Sequence, residues 1–254
     1  MKNTTLKILL LLIFSMTNTY AGWYKCYNYE GTIDKYPISF SIQITEDYFG
    51  EKGKKDFNIN GIYKYDKHNN PIKLEGKIDF KTNKACIYEV INNKNTAAFE
   101  FYFSENTLNG TWTNLSTKKI LPLHLNFLSK LVDTSEEDKF ENIEIIQLNS
   151  LPDYYFIGIY SKVNGESRAK MDRLKIIRKN DNSIFQILDF SSIETETGNV
   201  RTIIYDNVEV VDVKTKELSI WNNIGRMGGY LTVKYNFKKN KFKVNPKPTI
   251  DGTE

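Results

Sequence analysis

The sequence predicts an all-β protein, an N-terminal antiparallel meander closing as a barrel or a sandwich, followed by a second antiparallel β domain. Three observations carry this. Apolar and polar residues alternate along short segments, as in Ile72-Lys73-Leu74-Glu75 and Phe99-Glu100-Phe101-Tyr102-Phe103. Those segments recur every ten to twelve residues or so, and they are rich in β-branched and aromatic side chains. Compact turn signals separate them, among them Asp66-Lys67-His68-Asn69-Asn70-Pro71, Lys81-Thr82-Asn83, Asn92-Asn93-Lys94-Asn95 and Glu105-Asn106. Alternation means one face buried and one face wet, as a barrel or a sandwich requires.

In chain order, residues 1–21 come first. Lys2 and Lys7 flank the apolar run Ile8 to Met16, which leads into Thr19-Tyr20-Ala21. This is the pattern of a secretory signal peptide, and the run is too short to span a bilayer. The expectation is a periplasmic or secreted chain with no transmembrane segment after processing near Gly22. The formal charge is only +4, and both Lys2 and Lys7 lie in the segment to be removed. So balanced a chain has no built-in pull toward nucleic acid.

Residues 22–127 form the meander. Its eight expected strands are Trp23 to Tyr29, Tyr36 to Thr45, Asn58 to Tyr65, Ile72 to Phe80, Ala85 to Ile91, Ala97 to Ser104, Leu108 to Leu115 and Lys119 to Leu125. The chain has two cysteines, Cys26 and Cys86. In an exported protein the natural inference is one disulfide between them, closing a loop of about sixty residues. Residues 128–139 interrupt the rhythm with the charged run Asp133-Thr134-Ser135-Glu136-Glu137-Asp138, read as a linker.

The second domain, residues 140–245, has longer segments: Phe140 to Leu148, Tyr154 to Lys162, Arg173 to Arg178, Ile184 to Phe190, Val200 to Val213, Glu217 to Trp221, Tyr230 to Phe237 and Lys241 to Val244. Asn180-Asp181-Asn182-Ser183 marks a hairpin turn. The basic residues from Lys234 to Lys247 alternate with Tyr235, Phe237, Phe242 and Val244, so they read as the wet face of a strand. Residues 246–254 read as a frayed tail.

Catalytic templates are absent: no G-x-S-x-G, no H-E-x-x-H, no phosphate-binding loop and no dinucleotide-binding glycine pattern. His68 falls in a turn and His124 on the outer face of a strand, so neither suggests a base or a zinc ligand. No metal and no cofactor are expected. Carboxylate-only glycan hydrolysis needs just two acids, and Glu75, Glu89, Asp206, Glu209 and Asp212 are the strand-embedded ones. Asp206-Asn207-Val208-Glu209 lacks the third alternate ligand and the glycine of a calcium loop.

Two segments are candidates for binding. Gly110-Thr111-Trp112 resembles the G-x-W element of avidin and lipocalin barrels, which implies that Trp112 closes one end of a barrel, although in those families the element lies on the first strand. Together with Gly61-Ile62-Tyr63-Lys64-Tyr65 and Pro71 to Gly76 it resembles uncharacterised exported proteins of Gram-negative bacteria. The second segment runs from Trp221 to Tyr230, and its three glycines around Arg226 read as an exposed hairpin loop. Its Gly228-Gly229-Tyr230 resembles the C-terminal β region of periplasmic lysozyme-inhibitor-like proteins, which implies a loop inserted into an enzyme cleft; the inhibitors' Ser-Gly signature is absent. The expected binding residues are Trp221, Arg226, Gly228, Gly229, Tyr230 and Trp112. The expected function is an exported binding protein, more a binder than an enzyme, with lysozyme-inhibitor-like action as its sharpest form, whose partner is an envelope protein or glycan. The alternatives are a carboxylate-dependent glycan hydrolase and a structural envelope component.

Overall fold

The computed structural model describes residues 24–45, 58–134, 137–163, 166, 169–198, 203–224 and 227–250. The expected signal peptide, residues 1–21, lies outside the described residues, as does Arg226. No described helix is long and apolar enough to cross a membrane.

The meander closes into an eight-stranded antiparallel barrel. Its strands are β1 (Tyr24–Ile33), β2 (Tyr36–Thr45), β3 (Ile59–Tyr65), β4 (Ile72–Asp79), β5 (Lys84–Ile91), β6 (Lys94–Tyr102), β7 (Thr107–Asn114) and β8 (Ile120–Asp133). Asparagines pay little for a left-handed backbone, and Asn83, Asn92, Asn93 and Asn182 sit at positive φ in the turns where the sequence placed them. Two consecutive positive φ values at Asn92 and Asn93 suit the tight link between β5 and β6, whose last pair is Ile91 with Lys94.

The barrel is packed rather than hollow. Tyr29, Ile42, Tyr63, Leu74, Ile87, Phe99 and Leu125 are among the side chains that fill it. Phe40 sits against Phe99 with ring centroids 5.5 Å apart, and Tyr63 against Phe99 at 5.2 Å. Offset aromatic contacts of this kind fill a taper without stacking face to face.

Closure depends on β8, which is longer than the sequence suggests. It pairs with β1 from Ile33 with Leu123 through to Tyr24 with Asp133, so Leu128 to Asp133, read above as the start of a linker, is strand. The reason is a β-bulge: Tyr29 pairs with Phe127 and Asn28 with Ser129, leaving Leu128 extra. One extra residue reverses which face the following side chains take. Leu123 and Leu125 point into the barrel, whereas Leu131 joins the core on its outside.

That outer core is built with the C-terminal half. One antiparallel sheet contains β9 (Phe140–Ile146), β10 (Tyr154–Lys162), β11 (Lys170–Arg178) and β12 (Ile184–Asp189). The other contains β13 (Glu196–Thr197), β14 (Val208–Asp212), β15 (Glu217–Ile224), β16 (Met227–Asn236), β17 (Lys241–Val244) and β18 (Thr249–Ile250). Among the described residues of the expected strand from Val200 to Val213, Val208 to Asp212 is strand, and residues 200–202 lie outside the described residues. Before it, Ile204–Asp206 forms a 3-10 turn that drives Ile204 and Tyr205 into the core against the barrel. Within the expected tail, Thr249 and Ile250 pair with Tyr230 and Gly229.

Cys26, Ile62 and Leu131 from the barrel share one apolar cluster with the C-terminal strands. Buried polar contacts cross the same boundary. Tyr205 Oη lies 2.9 Å from Ser41 Oγ and 3.3 Å from Cys26 Sγ, and Gln43 Oε1 accepts the Ile204 N–H at 3.0 Å.

The expected disulfide is absent: Cys26 and Cys86 are both free thiols. Cys26 is on β1 and Cys86 on β5, four strands apart whichever way the barrel is followed, and each alternates with an inward neighbour, Tyr27 or Ile87. Both thiols therefore face outward on opposite sides of the barrel, which a bond spanning a Cα separation of about 5–6 Å cannot bridge.

Candidate functional site

The segment from Trp221 to Tyr230 is the end of a β-hairpin rather than a long loop. β15 and β16 remain paired up to Ile224 with Met227, and only Gly225 and Arg226, outside the described residues, stand between them. Glycine 228 lies within the ladder for a packing reason. A Cβ there would meet the Trp221 ring at 2.8 Å, so the missing side chain is the space in which the indole lies.

Cross-strand partners face the same side of a sheet, and Trp221 pairs with Tyr230. The inward face of this hairpin carries Leu218, Ile220, Leu231 and Val233, all fully buried. The outward face carries Glu217, Ser219, Trp221, Tyr230 and Thr232. They line a recess of about 530 Å³ together with Asp206, Glu209 and Thr249. Gly229 falls outside this set, since it pairs with buried Asn222 and takes the inward register. Two of the expected residues thus come together as a pair, Trp221 and Tyr230, and Gly228 seats the first of them.

Three carboxylates edge the aromatic pair. Glu217 holds Lys234 at 3.3 Å. Glu209 lies across the ladder from Ser219, two residues along β15 from Glu217. Asp206 keeps an exposed face, yet desolvation by the atoms around it raises its carboxyl above the ordinary range; Lys73 opposes the rise and Glu75 adds to it. Asp206 and Glu209 were legible as strand-region acids, while Glu217 was not singled out. Its position two residues before Ser219 on the alternating strand is the signal that would have found it.

Trp112 belongs elsewhere. It packs against the barrel core at the end formed by the β1–β2, β3–β4 and β7–β8 turns. A Cβ on Gly110 would lie 2.0 Å from the Glu100 carbonyl oxygen, so the G-x-W element needs its glycine to let β6 and β7 close together. The other acids flagged from sequence are dispersed. Glu89 is buried inside the barrel, accepting from Tyr63 Oη and Thr96 Oγ1, and Glu75 pairs with Lys73. His124 is exposed and bonded to Asn109.

Among the described residues, no three His, Cys, Asp or Glu side chains come together as metal ligands. Comparison with protein-family models, with curated proteins and with solved structures finds no match to this chain in any of the three.

Proposed function

We propose that this chain is an exported, non-enzymatic binding protein and that its ligand is a glycan seated on Trp221 and Tyr230. The observation that carries the reading is the cross-strand aromatic pair on the open face of the sheet, edged by Asp206, Glu209 and Glu217. Sugar rings present apolar C–H faces and polar hydroxyl edges. Aromatic rings take the first, and carboxylates, which only accept, take the hydroxyl protons. At about 530 Å³ the recess has the size of a small-molecule site. Export is supported by the N-terminal pattern of Lys2, Lys7 and the apolar run between Ile8 and Met16. The glycan form is preferred to a lysozyme-inhibitor-like one because the segment that would insert into a cleft is paired strand on both sides of Gly225-Arg226.

Isothermal titration of the full chain against neutral, acidic and amino-sugar oligosaccharides tests this. Saturable binding of neutral or amino sugars, lost in Trp221→Ala and Tyr230→Ala, is expected; acidic sugars are disfavoured by the three carboxylates. Absence of binding across the panel removes the reading.

Hydrolysis is the second reading, favoured by the raised carboxyl of Asp206 beside Glu209 and Glu217. Release of reducing ends from a bound oligosaccharide would select it over simple binding.

A further inference from the structure

The barrel's other feature lies at the end that holds Trp112. Tyr36, Pro37, Tyr65, Trp112 and Leu121 line a recess of about 590 Å³ there. Tyr36 is 45% exposed, and its ring stands at 90° to that of Tyr65 with centroids 6.4 Å apart, forming an aromatic corner. The indole N–H of Trp112 is buried with no hydrogen-bond partner among the described residues. A buried donor left unpaired is costly, so the chain's own groups leave this end of the barrel incompletely satisfied.

The rim is cationic. Lys35, Lys67 and Lys119 come from three different turns, β1–β2, β3–β4 and β7–β8, and all three line this one recess. None of the three forms an ion pair with a described residue. Lys35 lies 5.7 Å from the centre of the Tyr36 ring. The nearby acids do not cancel this charge. Asp66 is held by Lys64 at 2.9 Å and by Ser39, and the three rim lysines outnumber the two remaining acids, Asp34 before Lys35 in the same turn and Glu89 deeper in the barrel.

From this juxtaposition we infer that the barrel mouth is a second binding site, for a monomeric anionic amphiphile with one apolar body and one carboxylate. The body fills the aromatic corner, and the carboxylate meets the lysine rim. The site is concave, so it takes a single molecule rather than the flat face of a bilayer. It is independent of the glycan recess and shares no residue with it.

Titration calorimetry of the full chain with dodecanoate, below its micelle threshold, tests the inference. One dodecanoate should bind per chain, and dodecyltrimethylammonium should bind roughly tenfold more weakly or not at all. The surface variant combining Lys35→Gln, Lys67→Gln and Lys119→Gln should lose roughly tenfold in dodecanoate affinity while keeping its melting temperature. Phosphatidylglycerol vesicles should not be bound. The inference fails if dodecanoate does not saturate, if the ammonium amphiphile binds as well, if the triple variant binds unchanged, or if vesicles outcompete the monomer.

Discussion

Lys162 Nζ and Asp133 Oδ1 form an ion pair at 2.7 Å that is withdrawn almost entirely from water, with 0% and 4% of the two side chains exposed. The other carboxylate oxygen of Asp133 accepts the Ala169 N–H at 3.0 Å. Asp133 is the last residue of the barrel strand β8 and Lys162 the last residue of β10, so the pair fastens the barrel to the C-terminal sheets. Burying two charges is costly, and the pair repays that cost only while both are present. Asp133→Asn should therefore destabilise the fold by about 3–5 kcal/mol in urea denaturation, whereas the double replacement Asp133→Leu with Lys162→Met should recover most of that loss. An additive double variant would mean the two groups are not coupled.

The two thiols should behave differently. Burial pushes the Cys26 thiol up to about 11, with the hydrogen bonds from Tyr205 and Ser41 opposing the rise, so it stays protonated and inert at neutral pH. A disulfide-exchange reagent applied to the native, unreduced protein at pH 8 should label only the partly exposed Cys86, and two thiols should appear after unfolding without reductant. Finding no thiol after unfolding would restore the disulfide.

The same shift sets an alkaline limit. The unfolded thiol ionises near its ordinary 9.0 and the folded one near 11, so the folded state holds the proton more tightly. Its contribution to stability is full below pH 9 and is lost as pH rises towards 11. Cys26→Ala should flatten the fall in melting temperature across that window; an equally steep fall in the variant would assign it to other groups.

How much of this was legible in the sequence depends on the range of the interaction. Local pattern located β2, β10 and β17 to the residue, because alternation and Asn-rich turns are short-range signals. Barrel against sandwich was not legible, since both give the same alternation and only the pairing of β1 with β8 closes the ring. The bulge at Leu128 hid the end of β8, because the reversal of faces there looks like loss of pattern when Leu131 and Asp133 are in fact turning toward a second core. The disulfide expectation failed for the same reason: redox context suggests a bond but says nothing of opposite barrel walls. Glycines misled at Trp221 to Tyr230, where Gly228 makes room for an indole rather than for a loop. Centring the hairpin on Gly225-Arg226 would have paired Trp221 with Tyr230 directly.

Gly228 gives a way to disturb the proposed glycan site at Trp221 without touching its carboxylates. A side chain at this position collides with the indole, so Gly228→Val should displace Trp221 and weaken oligosaccharide binding by roughly tenfold or more, as for loss of a hot-spot anchor. Unchanged affinity in a folded Gly228→Val protein would show that the seating of Trp221 does not matter.

The most direct measurement follows the indole N–H resonances of tryptophan-labelled protein during an oligosaccharide titration, with single Trp→Phe variants for assignment. The Trp221 resonance should shift and saturate while that of Trp112, at the far barrel mouth, stays in place. Saturable sugar binding that leaves Trp221 unmoved, or that moves Trp112 instead, would contradict the proposed glycan site at Trp221.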